Sequence, residues 1–141
     1  MEKKKRFEFL EKDYVQGFSE YCGFEVLRVG DGIFESTLQI QSGHLQQDGF
    51  VHAGVIAAMA DHTAGYAAYT IVPKDYRILT IEFKINYFKP ALGESIICRS
   101  KVISRGKKII VSESEIFSIN KNQEKLVSKA TVTLMSVLLD S

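Results

Sequence analysis

The stretch from Ala53 to Val72 holds a single acid, Asp61, and no lysine or arginine, and most of its side chains are small. Asp61 and His62 near its middle argue against a bilayer span. A buried helix over Val51–Val72, stopped by Pro73, satisfies the pattern. Beyond Pro73 most of the chain reads as strand. Ile78–Phe88 alternates strictly, with Leu79, Ile81, Phe83, Ile85 and Tyr87 on one side and Thr80, Glu82, Lys84 and Asn86 on the other. Glu94–Ser104, Ile109–Ile119 and a last strand carrying Leu126, Ala130, Val132, Leu134 and Leu138 complete the set, with turns at Arg105-Gly106-Lys107 and Asn120–Glu124. Before the helix come strands at Phe24–Val29 and Phe34–Ile40, split by Gly30-Asp31-Gly32, and then a polar loop, Gln41–Phe50. Phe7, Leu10, Tyr14, Phe18 and Tyr21 recur at helical spacing, which predicts an amphipathic helix from Phe7 to Cys22, with Gly23 past its end. Strands and helices do not alternate, so a doubly wound parallel sheet is excluded. The expected class is α+β: an antiparallel sheet wrapped round one long central helix, with an additional N-terminal helix.

At 141 residues the chain is expected to be one domain, 1–141, able to bury a core without staples. A net charge of +1 gives no bulk attraction to nucleic acid or to a membrane surface. Cys22 and Cys98 form no Cys-x-x-Cys pair and read as inert thiols in a reducing compartment. The basic start, Lys3-Lys4-Lys5-Arg6, is interrupted at once by Glu8, Glu11 and Asp13 and leads into no apolar core, so no export signal is expected and the location is cytoplasmic.

Along the central helix, Gly54, Ala57, Ala58, Asp61, Gly65 and Ala68 share one face, small apart from Asp61; Val55, Met59, His62, Tyr66 and Tyr69 form a bulky face beside it. A small stripe lets a backbone or a ligand come close, and a carboxylate within it sits where water is scarce, the setting of a general base. At the helix start, backbone N–H groups through Gly54 lie on the positive end of the helix dipole and suit an oxyanion. Asp61 lies roughly 12 Å along the axis from Ala53. One site can contain both only if a second copy supplies one of them, which makes a two-fold dimer part of the chemistry. A Gly-x-Ser-x-Gly elbow is absent, His44, His52 and His62 lack metal-ligand spacing, and Gly30-x-Gly32 is only a turn; no metal and no cofactor are expected. His62 reads as a packed core histidine.

The run Gly43-His44-Leu45-Gln46-Gln47-Asp48-Gly49-Phe50-Val51-His52-Ala53-Gly54, continuing to Asp61, resembles the signature of the PaaI-like acyl-CoA thioesterases, which are hotdog-fold proteins. Tyr76–Phe83 and Tyr87-Phe88-Lys89-Pro90-Ala91 fit the next strand and turn of that family, and the similarity runs from about Gly17 to the C-terminus. The resemblance implies that Asp61 is the catalytic acid, a general base on water or a nucleophile. It implies that the Ala53 N–H polarises the thioester carbonyl, that Gln46 helps place carbonyl or water, that Thr80 supports the carboxylate or the water, and that His52 shapes the loop. The family usually reads His-Gly-Gly where this chain has His52-Ala53-Gly54. The N–H survives, and the added methyl narrows the acyl pocket provided φ there is negative. Gln46 stands where Asn is commoner and is one methylene longer.

The resemblance also implies an acyl-CoA substrate, whose phosphates call for cations; Lys89, Arg105, Lys107 and Lys108 are the candidates, with Gly54 among the substrate-binding backbone. The implied unit is a homodimer, assembling further to a tetramer. Two competing functions remain open at this level: a hotdog hydratase or dehydratase using His52 with the acid, and a non-catalytic acyl-CoA-binding protein.

Overall fold

A computed structural model of the chain describes residues 2–139. Two helices, α1 (Glu2–Tyr14) and α2 (Phe18–Cys22), lead into strands β1 (Phe24–Gly30) and β2 (Ile33–Gln39). A loop containing a short 3-10 turn at Ser42–His44 precedes the central helix α3 (Ala53–Tyr69). Strands β3 (Tyr76–Tyr87), β4 (Ser95–Arg105), β5 (Ile109–Asn120) and β6 (Gln123–Leu138) come after it. All pairings are antiparallel, in the order β1-β2-β4-β5-β6-β3, so β3 closes one edge of the six-stranded sheet. The expected wrapped-sheet architecture is the one observed.

Two helix boundaries differ from the sequence reading. The N-terminal segment is two helices rather than one from Phe7 to Cys22, because Gly17 takes a positive φ of 57° that no helix accepts. Ser19 holds the break together: its hydroxyl donates to the Tyr14 and Gln16 carbonyls and accepts from the Gln16 N–H. The central helix is shorter at both ends than Val51–Val72. His52 has extended backbone and caps the start, and Thr70 returns its hydroxyl to the Ala67 carbonyl (2.6 Å) at the end.

Strand β3 holds the third difference, and it matters for the site. Thr80 pairs with Leu134 and Glu82 with Thr133, leaving Ile81 as an extra residue in a β-bulge. The bulge switches the alternation. Before it, Ile78 and Thr80 lie opposite the inward-facing Ser136 and Leu134; after it, Phe83 and Ile85 lie opposite the inward-facing Val132 and Ala130. Thr80 therefore shares a face with Phe83, Ile85 and Tyr87, not with Glu82, Lys84 and Asn86.

The core lies between α3 and the concave face of the sheet. Ile56, Met59, Ala60 and Ala67 pack with Leu38, Ile96, Ile110, Ile116, Val132 and Leu134. Small polar side chains on the sheet let the helix approach closely, and they are tied off: Ser114 donates to the Ala60 carbonyl (2.8 Å) and bonds Ser100 (2.6 Å). Burial pushes the Cys98 thiol up to about 11, and both cysteines are free thiols. Helix α1 is pinned by Tyr14, fully buried, stacked on Phe34 (5.0 Å between centroids) and bonded through its hydroxyl to Thr63 (2.8 Å), which also bonds Ser36 (2.9 Å). Tyr14→Phe removes one member of this buried chain while keeping the ring. It is expected to cost about 1–2 kcal/mol, read from urea unfolding at constant m. No helix among the described residues is long and apolar enough to cross a membrane.

Candidate active site

The loop ahead of α3 is built around His44. Its buried ring accepts from the Gln41 N–H at Nδ1 (2.9 Å) and donates from Nε2 to the Cys22 carbonyl (2.7 Å). Its carbonyl accepts from the His52 N–H (2.8 Å). The sequence reading weighed His44 only as a metal ligand and missed this latch. Its spacing of three from Gln41 and its place inside a polar loop are the signal for a side chain that ties backbone. Gln46 closes the tip. Its Oε1 accepts from the Asp48 N–H (2.6 Å) and the Phe50 N–H (3.1 Å), and its own N–H donates to the Phe50 carbonyl (2.8 Å). With Oε1 fixed by two backbone donors, the Nε2 protons are the free end of the amide, and they meet no acceptor among the described residues.

The loop delivers the chain to the start of α3 at His52. The His52 Nδ1 accepts from the Gly54 N–H (2.8 Å), and the His52 carbonyl receives the Val55 N–H. A Cβ at Gly54 would stand 3.0 Å from that Nδ1, so the bare backbone at 54 is what lets the ring cap so tightly. One first-turn donor is thereby left over. The Ala53 N–H has no acceptor among the described residues. Ala53 is not among the positive-φ residues, so its methyl sits without strain. Gln46, Phe50, His52, Ala53, Tyr87 and Lys89 line a cleft of about 560 Å³ at this point. The Tyr87 hydroxyl donates to the Ala53 carbonyl (3.0 Å) and fixes the end of β3 against the helix start. The sequence reading singled out neither role for Tyr87.

Asp61 lies two helical turns further on, half-buried, roughly 12 Å from Ala53 along the axis. Its Oδ1 accepts from the Thr80 hydroxyl at 2.6 Å. The bulge at Ile81 gives Thr80 and Tyr87 the same face, so one strand touches both Asp61 and Ala53. Around Asp61 the small stripe is half open in one chain: Gly54 is exposed, Ala57 and Ala58 are half-buried, and only Gly65 and Ala68 are buried. A Cβ placed on Gly65 would meet no atom within 4 Å. His62 is a packing group: its Nε2 donates to the Tyr14 carbonyl (2.9 Å), its ring lies 4.3 Å from that of Tyr14, and burial lowers its pKa.

One chain thus brings Gln46, His52, Ala53, Gly54 and Lys89 together, and separately pairs Asp61 with Thr80. The other cations lie elsewhere. Strand β4 starts beside the loop, where Ser95 pairs with Gln39, and carries Arg105 to its far end, roughly 30 Å away. There Arg105 pairs with Asp31 (3.0 Å), and Lys107 and Lys108 stand exposed in the adjoining turn.

The fold has close counterparts. The profile of the thioesterase superfamily matches residues 48–125, from the loop tip to the start of β6. A thioesterase family protein from Silicibacter pomeroyi has the same fold, with a TM-score of 0.91 and 26% identity over 94% of this chain and 98% of that one. A Saccharolobus solfataricus protein, named as a candidate esterase, is 32% identical over 102 residues, or 72% of this chain and 67% of that one. The 1,4-dihydroxy-2-naphthoyl-CoA hydrolase of Listeria monocytogenes is 25% identical over 120 residues, covering 84% of this chain and 95% of that one. The fold is the hotdog, and the chain belongs to the thioesterase superfamily.

Proposed function

We propose that this protein hydrolyses acyl-CoA thioesters at sites shared between two copies of the chain. The observation that carries the reading is the split of the chemistry: a helix-start N–H without an acceptor at Ala53, and a carboxylate oriented by Thr80 at Asp61, too far apart to serve one substrate atom within a chain. Two α3 helices side by side and antiparallel bring Ala53 of one copy to Asp61 of the other. Support for such pairing comes from β3, an edge strand with Leu79, Ile81, Phe83 and Tyr87 between 38% and 54% exposed. The open part of the stripe, at Gly54, Ala57 and Ala58, leaves room for a second helix or for the acyl group. A pair of such dimers then makes a tetramer. The preference for CoA esters draws support from the relative named for that reaction, and a cytoplasmic location follows from the substrate.

In this reading the thioester carbonyl oxygen accepts from the Ala53 N–H, which gains strength as negative charge develops on it. Gln46 Nε2 donates to the carbonyl or to the water, and His52, capping the helix, keeps the donor in place. Asp61 takes a proton from the attacking water, or attacks the carbonyl itself. When water attacks, its oxygen bonds the carbonyl carbon, the C–S bond breaks, and the CoA thiolate leaves with the proton, giving free acid and thiol. When Asp61 attacks, the same loss of thiolate gives an acyl anhydride on Asp61, which water then hydrolyses to free acid. Lys89 stands at the cleft mouth, ready for an anionic part of the substrate.

The test is free-thiol release from acyl-CoAs of increasing length and with aryl groups. The preferred ester is expected to reach a kcat/KM of about 10⁴ M⁻¹s⁻¹ or more. Hydration of an enoyl-CoA without thiol release, or tight binding without turnover, would each overturn it.

A further inference from the structure

The ring of His52 borders two clefts. One is the cleft of about 560 Å³ beside Ala53; the other, of about 910 Å³, runs toward α2 and is lined by Phe18, Tyr21 and Val55. The two ring nitrogens have different roles. A backbone N–H can only donate, so the Nδ1 that receives the Gly54 N–H at 2.8 Å is the bare nitrogen, and the ring proton sits on Nε2. That Nε2–H meets no acceptor among the described residues. The imidazole is a donor held ready beside the Ala53 N–H.

What holds it begins at the end of β3. Tyr87 donates its hydroxyl to the Ala53 carbonyl (3.0 Å), and burial raises its pKa, so it stays a donor. The Ala53 carbonyl and the Gly54 N–H belong to one peptide unit. The hydroxyl, that peptide and the imidazole therefore form a single line of hydrogen bonds whose dipoles all point toward Nε2. In such a line each bond polarises the next. A hydroxyl on the Ala53 carbonyl makes the Gly54 N–H a stronger donor, and a tighter bond at Nδ1 makes Nε2–H a stronger donor in turn.

Both ends of the line are braced. The Phe88 and Lys89 N–H groups donate to the Val127 carbonyl (2.8 and 3.3 Å), and the Ser128 hydroxyl donates to the Asn86 carbonyl (2.7 Å), so the end of β3 that carries Tyr87 is anchored to β6. At the other end, a Cβ on residue 54 would come within 3.0 Å of Nδ1 and 3.2 Å of Cε1. The seat of the ring thus accounts for glycine at 54. An alanine at 53 leaves the line intact, because only the backbone of that residue takes part.

We propose that Tyr87 is a positioning residue for the thioester chemistry: through the Ala53–Gly54 peptide it fixes His52 with its proton on Nε2 and strengthens that N–H as a further donor to the charge that develops on the substrate. The inference rests on the hydrolase reading. It gives His52 a part beyond capping the helix, and it gives the half-exposed Tyr87 an indirect part in the reaction. No proton moves along the line; it orients and polarises only.

Tyr87→Phe keeps the ring and removes the hydroxyl. The Ala53 carbonyl keeps its place in the first turn of α3, so the variant is expected to unfold at the wild-type urea concentration. Its kcat for thiol release from an acyl-CoA is expected to fall about tenfold with KM unchanged. His52→Asn supplies a second background: its side-chain oxygen takes the place of Nδ1 as the helix cap, and nothing replaces Nε2. In that background, removing the Tyr87 hydroxyl should change kcat by less than about twofold, since the group it acts through is gone. A double variant whose two losses multiply makes Tyr87 an independent brace and overturns the proposal. Wild-type kcat in Tyr87→Phe, or a change confined to KM, overturns it as well. Imidazole nitrogen NMR spectra of isotope-labelled protein read the ring without any turnover. The wild type is expected to show His52 protonated on Nε2; Tyr87→Phe should add a population protonated on Nδ1 and move the Gly54 amide proton upfield. His52 protonated on Nδ1 in the wild type, or identical spectra in the two proteins, sinks the idea. Spectra as expected, with no thiol release from any ester by the wild type, leave the line of hydrogen bonds standing and remove the hydrolase reading, and with it the catalytic part given to Tyr87.

Discussion

Asp61→Asn is expected to fold as the wild type does and to lose about 10²–10⁴-fold in kcat with little change in KM. The amide is nearly isosteric with the carboxyl, and its oxygen can still accept the Thr80 hydroxyl that now lies 2.6 Å from Oδ1. Packing around the half-buried position therefore survives. What is lost is the capacity to take a proton or to form an acyl bond, and both are realised in the transition state rather than in ground-state binding. Thiol release under saturating substrate gives kcat, and a thermal melt on the same sample confirms the fold. Full turnover in a folded variant removes Asp61 from the chemistry.

Restoring activity by mixing two impaired variants is the second large effect. The structure dictates the choice of partner for Asp61→Ala. Gln46→Ala would strip an acceptor from the Asp48 and Phe50 N–H groups and loosen the loop itself. Gln46→Glu keeps an oxygen for both donors, removes the Nε2 protons and sets a negative charge where the carbonyl or water would be held, so it impairs the site without untying the loop. Each homodimer carries the same defect at both of its sites. In a mixed dimer one site collects both defects and the other neither. Equal amounts exchanged to equilibrium give about half mixed dimers, so about a quarter of all sites should regain wild-type turnover. Recovery should follow the mixed species counted by native mass spectrometry. Mixed dimers formed without any gain would mean that Gln46 and Asp61 do not meet across an interface.

Much of this architecture is legible in the residues because it rests on local rules. The apolar, small-residue run around Asp61 dictates a central helix, and Lys121 and Asn122 take the positive φ angles of a tight turn where the last two strands meet. What is not legible depends on distant partners. The Gly17 break follows from a Ser19 network reaching back to Tyr14, and no helical periodicity reveals that. The latch made by His44 depends on a carbonyl 22 residues away. The bonds of Thr80 to Asp61 and Tyr87 to Ala53 contradict the simple alternation of β3, since a β-bulge is set by pairing with β6 and not by the strand's own sequence. The Thr80 hydroxyl meets the Asp61 carboxylate, whereas periodicity alone groups Thr80 with Glu82 and Lys84.

That bulge also governs how β3 can drift over evolution. Thr80 and Tyr87 share a face at an odd separation, which a regular strand forbids. A homologue without the extra residue at Ile81 keeps both contacts only if its numbering slips by one between them. An alignment that runs ungapped across β3 would then compare an inward side chain with an outward one, either before the slip or after it. Variation at such columns would look like tolerance when it is a change of phase, and a single-residue gap there is as informative as a substitution in the helix.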